Sequence, residues 1–313
     1  MLPDMNLITG IHHITAMASD PKANLDFYTA VLGLRLIKKT VNFDDPSTYH
    51  FYFANYEGTP GTVLTFFPWP DLPKGRPGTG QVYATAFSVP TGALGFWRTH
   101  LANLKVAFRD LPERFGEKVL TLTDPDGLVI ELIESADDPR PATPHPAVPA
   151  NAAIRGFNSA TLAVPDAKPL TSLLTEKMHY RVQQETGGRT RLLAGDGKPG
   201  TFIDLLVDSN LPRGLNGSGT VHHIAFRTPT DDTELTMQAR LVEAGYHVSP
   251  VMDRNYFHSI YYRVPPGILF EIATDQPGFA IDEPLGGLGQ TLKLPAKYEA
   301  RRAEIEAHLP ALN

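Results

Sequence analysis

Two hydrophobic periods alternate along the chain in a fixed succession, and that succession occurs four times. Strand-like stretches, apolar or alternating with period two, lie at 10–18, 82–90, 157–165 and 221–229. Each is followed by a stretch with helical spacing, at 21–32, 91–104, 167–178 and 231–244. Leu25, Tyr28 and Leu32 share one face of the first such stretch, and Leu235, Ala239 and Val242 share one face of the last. Shorter β-like runs come next, among them 50–53, 62–67, 190–193 and 201–207. An apolar strand opened by glycine closes each succession, at Gly61, Gly127, Gly200 and Gly267. Proline stands directly before that glycine in three copies, and Pro125-Asp126 stands before it in the second. Proline fixes φ and the glycine admits positive φ, so each pair turns the chain tightly into its strand.

The repetition predicts an α+β fold of four βαβββ modules, at 8–67, 80–135, 154–207 and 218–275. The modules group into an N-terminal domain, 1–138, and a C-terminal domain, 154–285. A proline-rich linker, 139–153, carries neither period and joins them. Residues 286–313 begin with a glycine-rich loop and read as an extension with a short helix at 297–308.

Composition narrows the chemistry. The 313 residues contain no cysteine, which removes disulfides, thiolate metal sites and cysteine nucleophiles together. Any metal must be held by nitrogen and oxygen. A net charge of −6 without Lys/Arg clusters speaks against a nucleic-acid partner. No apolar run approaches the ~20 residues of a membrane span, and the first ten residues lack a basic segment followed by an apolar one. The expectation is a cytoplasmic protein with a small-molecule partner and no nucleic-acid or membrane partner; homo-oligomerisation is compatible with it. G-x-S-x-G, P-loop and dinucleotide fingerprints are absent from the sequence.

With cysteine gone, the eleven histidines become the quantity to explain. Four of them form two near-identical strand segments, Ile11-His12-His13-Ile14 and Val221-His222-His223-Ile224. The matching places in modules two and three hold Ala84 and Ser159. Four residues after each closing-strand glycine stand Thr65, Glu131, Asp204 and Glu271. Modules one and four therefore supply histidines, and module four adds a carboxylate. Alternation along a strand sends one histidine of each pair into a given cleft. Two imidazoles and one carboxylate form the ligand set of non-haem Fe(II) sites, with positions left open for substrate and dioxygen, or for water in a hydrolytic zinc site. Glu131 and Asp204 lack histidine partners and read as structural groups. His50 and His258 lie on strand-like segments that can approach the cleft.

These residues resemble the vicinal oxygen chelate superfamily, which holds glyoxalase I, extradiol dioxygenases and the fosfomycin- and bleomycin-resistance proteins. Asp124-Pro125-Asp126-Gly127 before a strand bearing Glu131 is one of its hallmarks. Through most of 8–295 the chain is most similar to hydroquinone ring-cleaving dioxygenases. The similarity includes Ile11–Thr15, Tyr49–Phe53, Gly58–Thr62, Val221–Ile224 and the stretch from Arg254 to Glu271. The resemblance implies curved-sheet domains in which modules one and four share the metal cleft and modules two and three a degenerate one. It implies Fe(II), with Mn(II) suited to the same ligands, held by His13, His223 and Glu271. It puts His12, Thr15, His222, Arg254 and Tyr261 around the metal. His222 or His12 would move protons, while Arg254 and Tyr261 would donate to bound oxygens. Thr15, His258 and Phe257 are the candidates for substrate contact. The activity implied is extradiol-type opening of substituted hydroquinones or related phenols with O2.

Two alternatives use the same scaffold. A glyoxalase-type metal isomerase or lyase would place a second glutamate where Thr65 stands, and a hydroxyl is a poor replacement for that ligand. A resistance-type binding protein would sequester a ligand and would need neither histidine pair.

Overall fold

The computed structural model describes residues 7–136 and 138–312. Residues 1–6, 137 and 313 lie outside the described residues. Each module folds as strand, helix and three strands. Module one comprises β1 (Gly10–Ala18), α1 (Pro21–Asp26), β2 (Arg35–Val41), β3 (Tyr49–Ala54) and β4 (Val63–Pro68). Module two runs β5 (Gln81–Pro90), α2 (Leu94–Asn103), β6 (Phe108–Arg114), β7 (Glu117–Thr123) and β8 (Val129–Ser135). In module three come β9 (Gly156–Ala163), α3 (Lys168–Glu176), β10 (Arg181–Thr186), β11 (Arg189–Leu193) and β12 (Phe202–Leu206). The fourth has β13 (Thr220–Thr228), α4 (Asp231–Glu243), β14 (Met252–Asp253), β15 (Phe257–Val264) and β16 (Ile268–Pro277).

The strands form two eight-stranded curved sheets, ordered β14-β15-β16-β13-β1-β4-β3-β2 and β10-β11-β12-β9-β5-β8-β7-β6. Modules one and four therefore share one sheet, and two and three share the other. The halves expected at 1–138 and 154–285 each give one module to each sheet. All four strand-opening glycines take positive φ: 85° at Gly61, 101° at Gly127, 92° at Gly200 and 126° at Gly267. The turn chemistry legible in the sequence is the turn the backbone makes.

Alternation then sorts the side chains. On β1, β3 and β4, Ile14, Ala16, Phe51, Phe53, Leu64 and Phe66 join the main core cluster with Phe27, Tyr28 and Leu32 from the helical segment after β1. The opposite face of this sheet is left for His13, Thr15, Thr65 and Tyr52. Burying an apolar face under helices while the concave face stays polar is what makes the sheet a container.

The extension closes an edge. Leu294, Ile305 and Leu309 pack on Val41, and the Lys293 N–H donates to the Lys39 carbonyl at 2.9 Å, so the tail covers the outer strand β2. The expected helix resolves into a 3-10 segment, Ala296–Arg301, followed by α5 (Arg302–His308). Just before the tail, Asp282 and Glu283 reach the ammonium of fully buried Lys38 at 2.6 and 2.5 Å. Lys38→Met should cost about 3–5 kcal/mol in urea denaturation, because it leaves Glu283 buried without its cation. Among the described residues no helix is long and apolar enough to cross a membrane.

Candidate metal centre

Register explains why the ligands meet. β1 pairs antiparallel with β13, setting His13 opposite Ala225 and Thr15 opposite His223. β13 pairs parallel with β16, setting Ala225 beside Glu271. Three strands thus aim His13, His223 and Glu271 into one concave face, all of them buried. His13 Nε2 lies 3.2 Å from Glu271 Oε2 and His223 Nε2 lies 2.9 Å from it; the two nitrogens are 3.4 Å apart. Despite that proximity, Glu271 Oε2 accepts no hydrogen bond of proper geometry and is enclosed. Burial alone would raise the Glu271 carboxyl, but the neighbouring His13 and His223 imidazoles hold it well below its ordinary range. An ionised carboxylate with an unbonded oxygen, facing two imidazole nitrogens, calls for a cation between them. The donor set fits a divalent metal with open positions.

Each pair of adjacent histidines departs from simple alternation. The β1–β13 register shifts between Ile11 and His13 and again between Thr15 and Ala16, so His12 and His222 are bulge residues. The bulges let neighbouring rings touch: His12 Nδ1 lies 2.9 Å from His13 Nδ1, and His222 Nδ1 lies 2.7 Å from His223 Nδ1. His12 Nε2 is 3.1 Å from the Thr274 carbonyl, which can only accept. His12 therefore carries its proton on Nε2 and accepts at Nδ1 from the His13 Nδ1–H, leaving the His13 Nε2 lone pair for the centre. Burial, with His13 beside it, lowers the His12 pKa well below the usual range and keeps it neutral. No carbonyl fixes His222 Nε2; a His223 Nε2 lone pair turned to the centre would put the His223 Nδ1–H on His222 Nδ1 and the His222 proton on Nε2. That ring is open on one side to the cavity and solvent.

Glu271 is steered in turn. Tyr261 Oη donates to Glu271 Oε1 at 2.9 Å, which leaves Oε2 for the centre. Arg254 Nε and Ser259 Oγ both donate to Tyr261 Oη at 3.1 Å. Burial first, then Glu271, pushes the Tyr261 phenol up, so it stays protonated. Its single proton is committed to Glu271, and Arg254 is the better placed donor to a bound oxygen. Arg254 also reaches Asp44 at 3.2 Å.

The centre opens into a cavity of about 420 Å³ walled by Tyr52, Phe67, Trp69 and Phe257, with Thr15 and His50 on its polar side. Of the expected substrate contacts, Thr15 and Phe257 line it and His258 does not. His258 points to the helix-covered face of β15, where its Nδ1 pairs with Asp231 of α4 at 2.8 Å. Simple alternation places it there: Phe257 and Tyr261 face the cavity, while His258 shares the opposite face with Ile260 and Tyr262. Asp44 and Trp69 carried no signal in the sequence.

Near the His258–Asp231 pair, Glu234 is buried with both carboxylate oxygens unbonded, and burial raises it to about 7. The folded protein keeps this proton where the unfolded chain has lost it, so stability falls as pH rises from about 4.5 to 7. Glu234→Gln should raise stability by roughly 1–3 kcal/mol at pH 8 and leave it nearly unchanged at pH 4, read from thermal melts.

The equivalent positions in the second sheet are filled differently. Arg114 pairs with Glu131, while Arg191 reaches Asp204 at 2.7 Å and Glu117 at 2.6 Å. These buried arginines neutralise the carboxylates that match Glu271 in register.

Comparison with known proteins agrees with the geometry. The family model described as Glyoxalase/Bleomycin resistance protein/Dioxygenase superfamily matches residues 10–132. MhqO of Bacillus subtilis, named as a ring-cleaving dioxygenase, is 45% identical over 300 residues, covering 96% of this chain and 95% of that protein. The chlorohydroquinone/hydroquinone 1,2-dioxygenase of Sphingobium indicum is 33% identical, covering 95% of both. A crystal structure of a Bacillus subtilis protein named as a dioxygenase superposes with a TM-score of 0.94 at 44% identity over 98% of both chains. Glyoxalase I from Zea mays shares the fold, with a TM-score of 0.62 at 14% identity over 85% of this chain and 92% of that one. The chain belongs to the Glyoxalase/Bleomycin resistance protein/Dioxygenase superfamily, within its family of ring-cleaving dioxygenases.

Proposed function

We propose that this enzyme opens the ring of hydroquinones with O2 at a centre held by His13, His223 and Glu271, with Fe(II) as the metal and the cytoplasm as its location. The observation that carries the reading is the unbonded Glu271 Oε2 facing two imidazole nitrogens, with the His13 tautomer set from behind. When bound, the metal supplies coordination sites for a phenolate and dioxygen and a route for electron density between them. The rest belongs to the chain. His12 holds His13, with both of its own nitrogens occupied, and is a positioning residue. His222 lines the cavity and can donate a hydrogen bond from its Nε2–H to a substrate oxygen there. Arg254 stabilises negative charge on that oxygen while fixing Tyr261, and Tyr261 fixes Glu271. Tyr52, Phe67 and Phe257 enclose an aromatic ring and exclude water.

A glyoxalase-type isomerase would need a basic ligand at Thr65. The Thr65 hydroxyl is instead engaged by Thr15 and His50, each at 2.8 Å. Protein reconstituted anaerobically with Fe(II) should consume O2 with hydroquinones and yield a ring-opened product seen by ultraviolet absorption. No uptake with any hydroquinone, together with methylglyoxal–glutathione turnover on Zn(II) or Ni(II), would give the site to the isomerase.

A further inference from the structure

The metal centre leaves His50 unexplained. This β3 residue is buried, and its ring is clamped between Tyr52, centroids 4.1 Å apart, and Phe67, centroids 4.3 Å apart. Nε2 is tied to Thr65 Oγ1 at 2.8 Å, and Thr65 Oγ1 to Thr15 Oγ1 at 2.8 Å. Nδ1 has no protein partner among the described residues and is not among the enclosed, unbonded atoms, so it opens to the cavity that His50 lines. A ring held on both faces and tied at one nitrogen offers the other nitrogen in a fixed direction.

The chain of three groups has a further property. Burial, with His13 and His223 nearby, keeps His50 neutral, so each member has one proton to give. If His50 donates to Thr65, then Thr65 donates to Thr15; the Thr15 hydroxyl is left as donor and His50 Nδ1 as acceptor. Reversing the chain reverses both ends. The two ends therefore always present opposite polarity to the cavity, which suits a hydroxyl, itself donor and acceptor.

Register gives the direction. His13 and Glu271 occupy one inward layer of the sheet, and His223, Thr15 and Thr65 occupy the next. His50 and Phe67 project from two residues further along their strands than Tyr52 and Thr65, which pair with each other. An aromatic ring with one oxygen at the metal ligands and its body across the threonine layer brings its opposite end to His50. We propose that His50 is a substrate-binding residue that takes the far hydroxyl of a benzene-1,4-diol, para to the oxygen at the His13–His223–Glu271 centre. The inference rests on the hydroquinone reading above and deepens it by assigning the group that recognises the second hydroxyl.

Its test is binding without O2. Calorimetric Kd values for hydroquinone and for 4-methylphenol, which puts a methyl group in place of the far hydroxyl, are compared on protein with equal Fe(II) content. Wild type should prefer the diol by about tenfold. His50→Phe, which keeps the aromatic stack, should lose that preference through weaker diol binding alone, with 4-methylphenol unchanged. His50→Gln, which restores a polar atom, should recover part of it, and it carries the test if the phenylalanine variant fails to fold. Variants that favour the diol as strongly as wild type would overturn the His50 assignment while leaving the hydroquinone reading intact. Wild type that binds neither phenol would overturn both.

Discussion

Replacing His13, His223 or Glu271 by alanine is expected to abolish tight metal binding and, with it, O2 uptake. Each contributes one of three donor atoms that converge within a buried space, so no neighbouring side chain can substitute. The loss should exceed the 10–100-fold that removing an outer partner of a ligand typically costs. His12→Phe and Tyr261→Phe should fall within that smaller range. The first leaves the His13 Nδ1–H without its acceptor, and the second leaves Glu271 Oε1 without its donor. Anaerobic Fe(II) titration followed by calorimetry separates the two classes. Ligand variants that bind metal as tightly as wild type would remove the centre from this site.

The second large effect is on stability and comes from the same register position in the other sheet. Asp204 is fully buried against Arg191, at 2.7 and 2.9 Å. Asp204→Ala leaves a buried guanidinium with only Glu117 as its remaining carboxylate partner, and breaking such a pair costs about 3–5 kcal/mol. Chemical denaturation should show that loss. Metal affinity should be unchanged, because Asp204 belongs to the sheet of modules two and three. Glu131→Ala should behave alike through Arg114. If either variant loses the metal, the pairing of module one with module four at the centre is wrong.

The fold was largely legible because each module repeats its own local code. The Pro-Gly turns, the helical spacing after each first strand and the closing strands recur closely enough to read without an alignment, and all four strand-opening glycines take positive φ. The convergence of His13, His223 and Glu271 was legible in part. Two matched histidine pairs and one carboxylate mark the modules involved, but the choice of the second histidine in each pair came from family resemblance.

What resisted reading was any feature created by a register shift. Strict alternation sends His12 and His13 to opposite faces, whereas the bulges at His12 and His222 bring each pair into contact and turn the first ring into a support for the second. The arginines that occupy the degenerate cleft lie on neighbouring strands, at distances along the chain that no local pattern encodes. Asp44 enters by the same long-range route, through Arg254.

The most direct test of the metal centre is anomalous diffraction at the iron edge from crystals grown anaerobically with Fe(II). The account predicts one strong peak between His13 Nε2, His223 Nε2 and Glu271 Oε2, at coordination distance from all three. A peak at Glu131 or Asp204, or iron bound only at the protein surface, would contradict it.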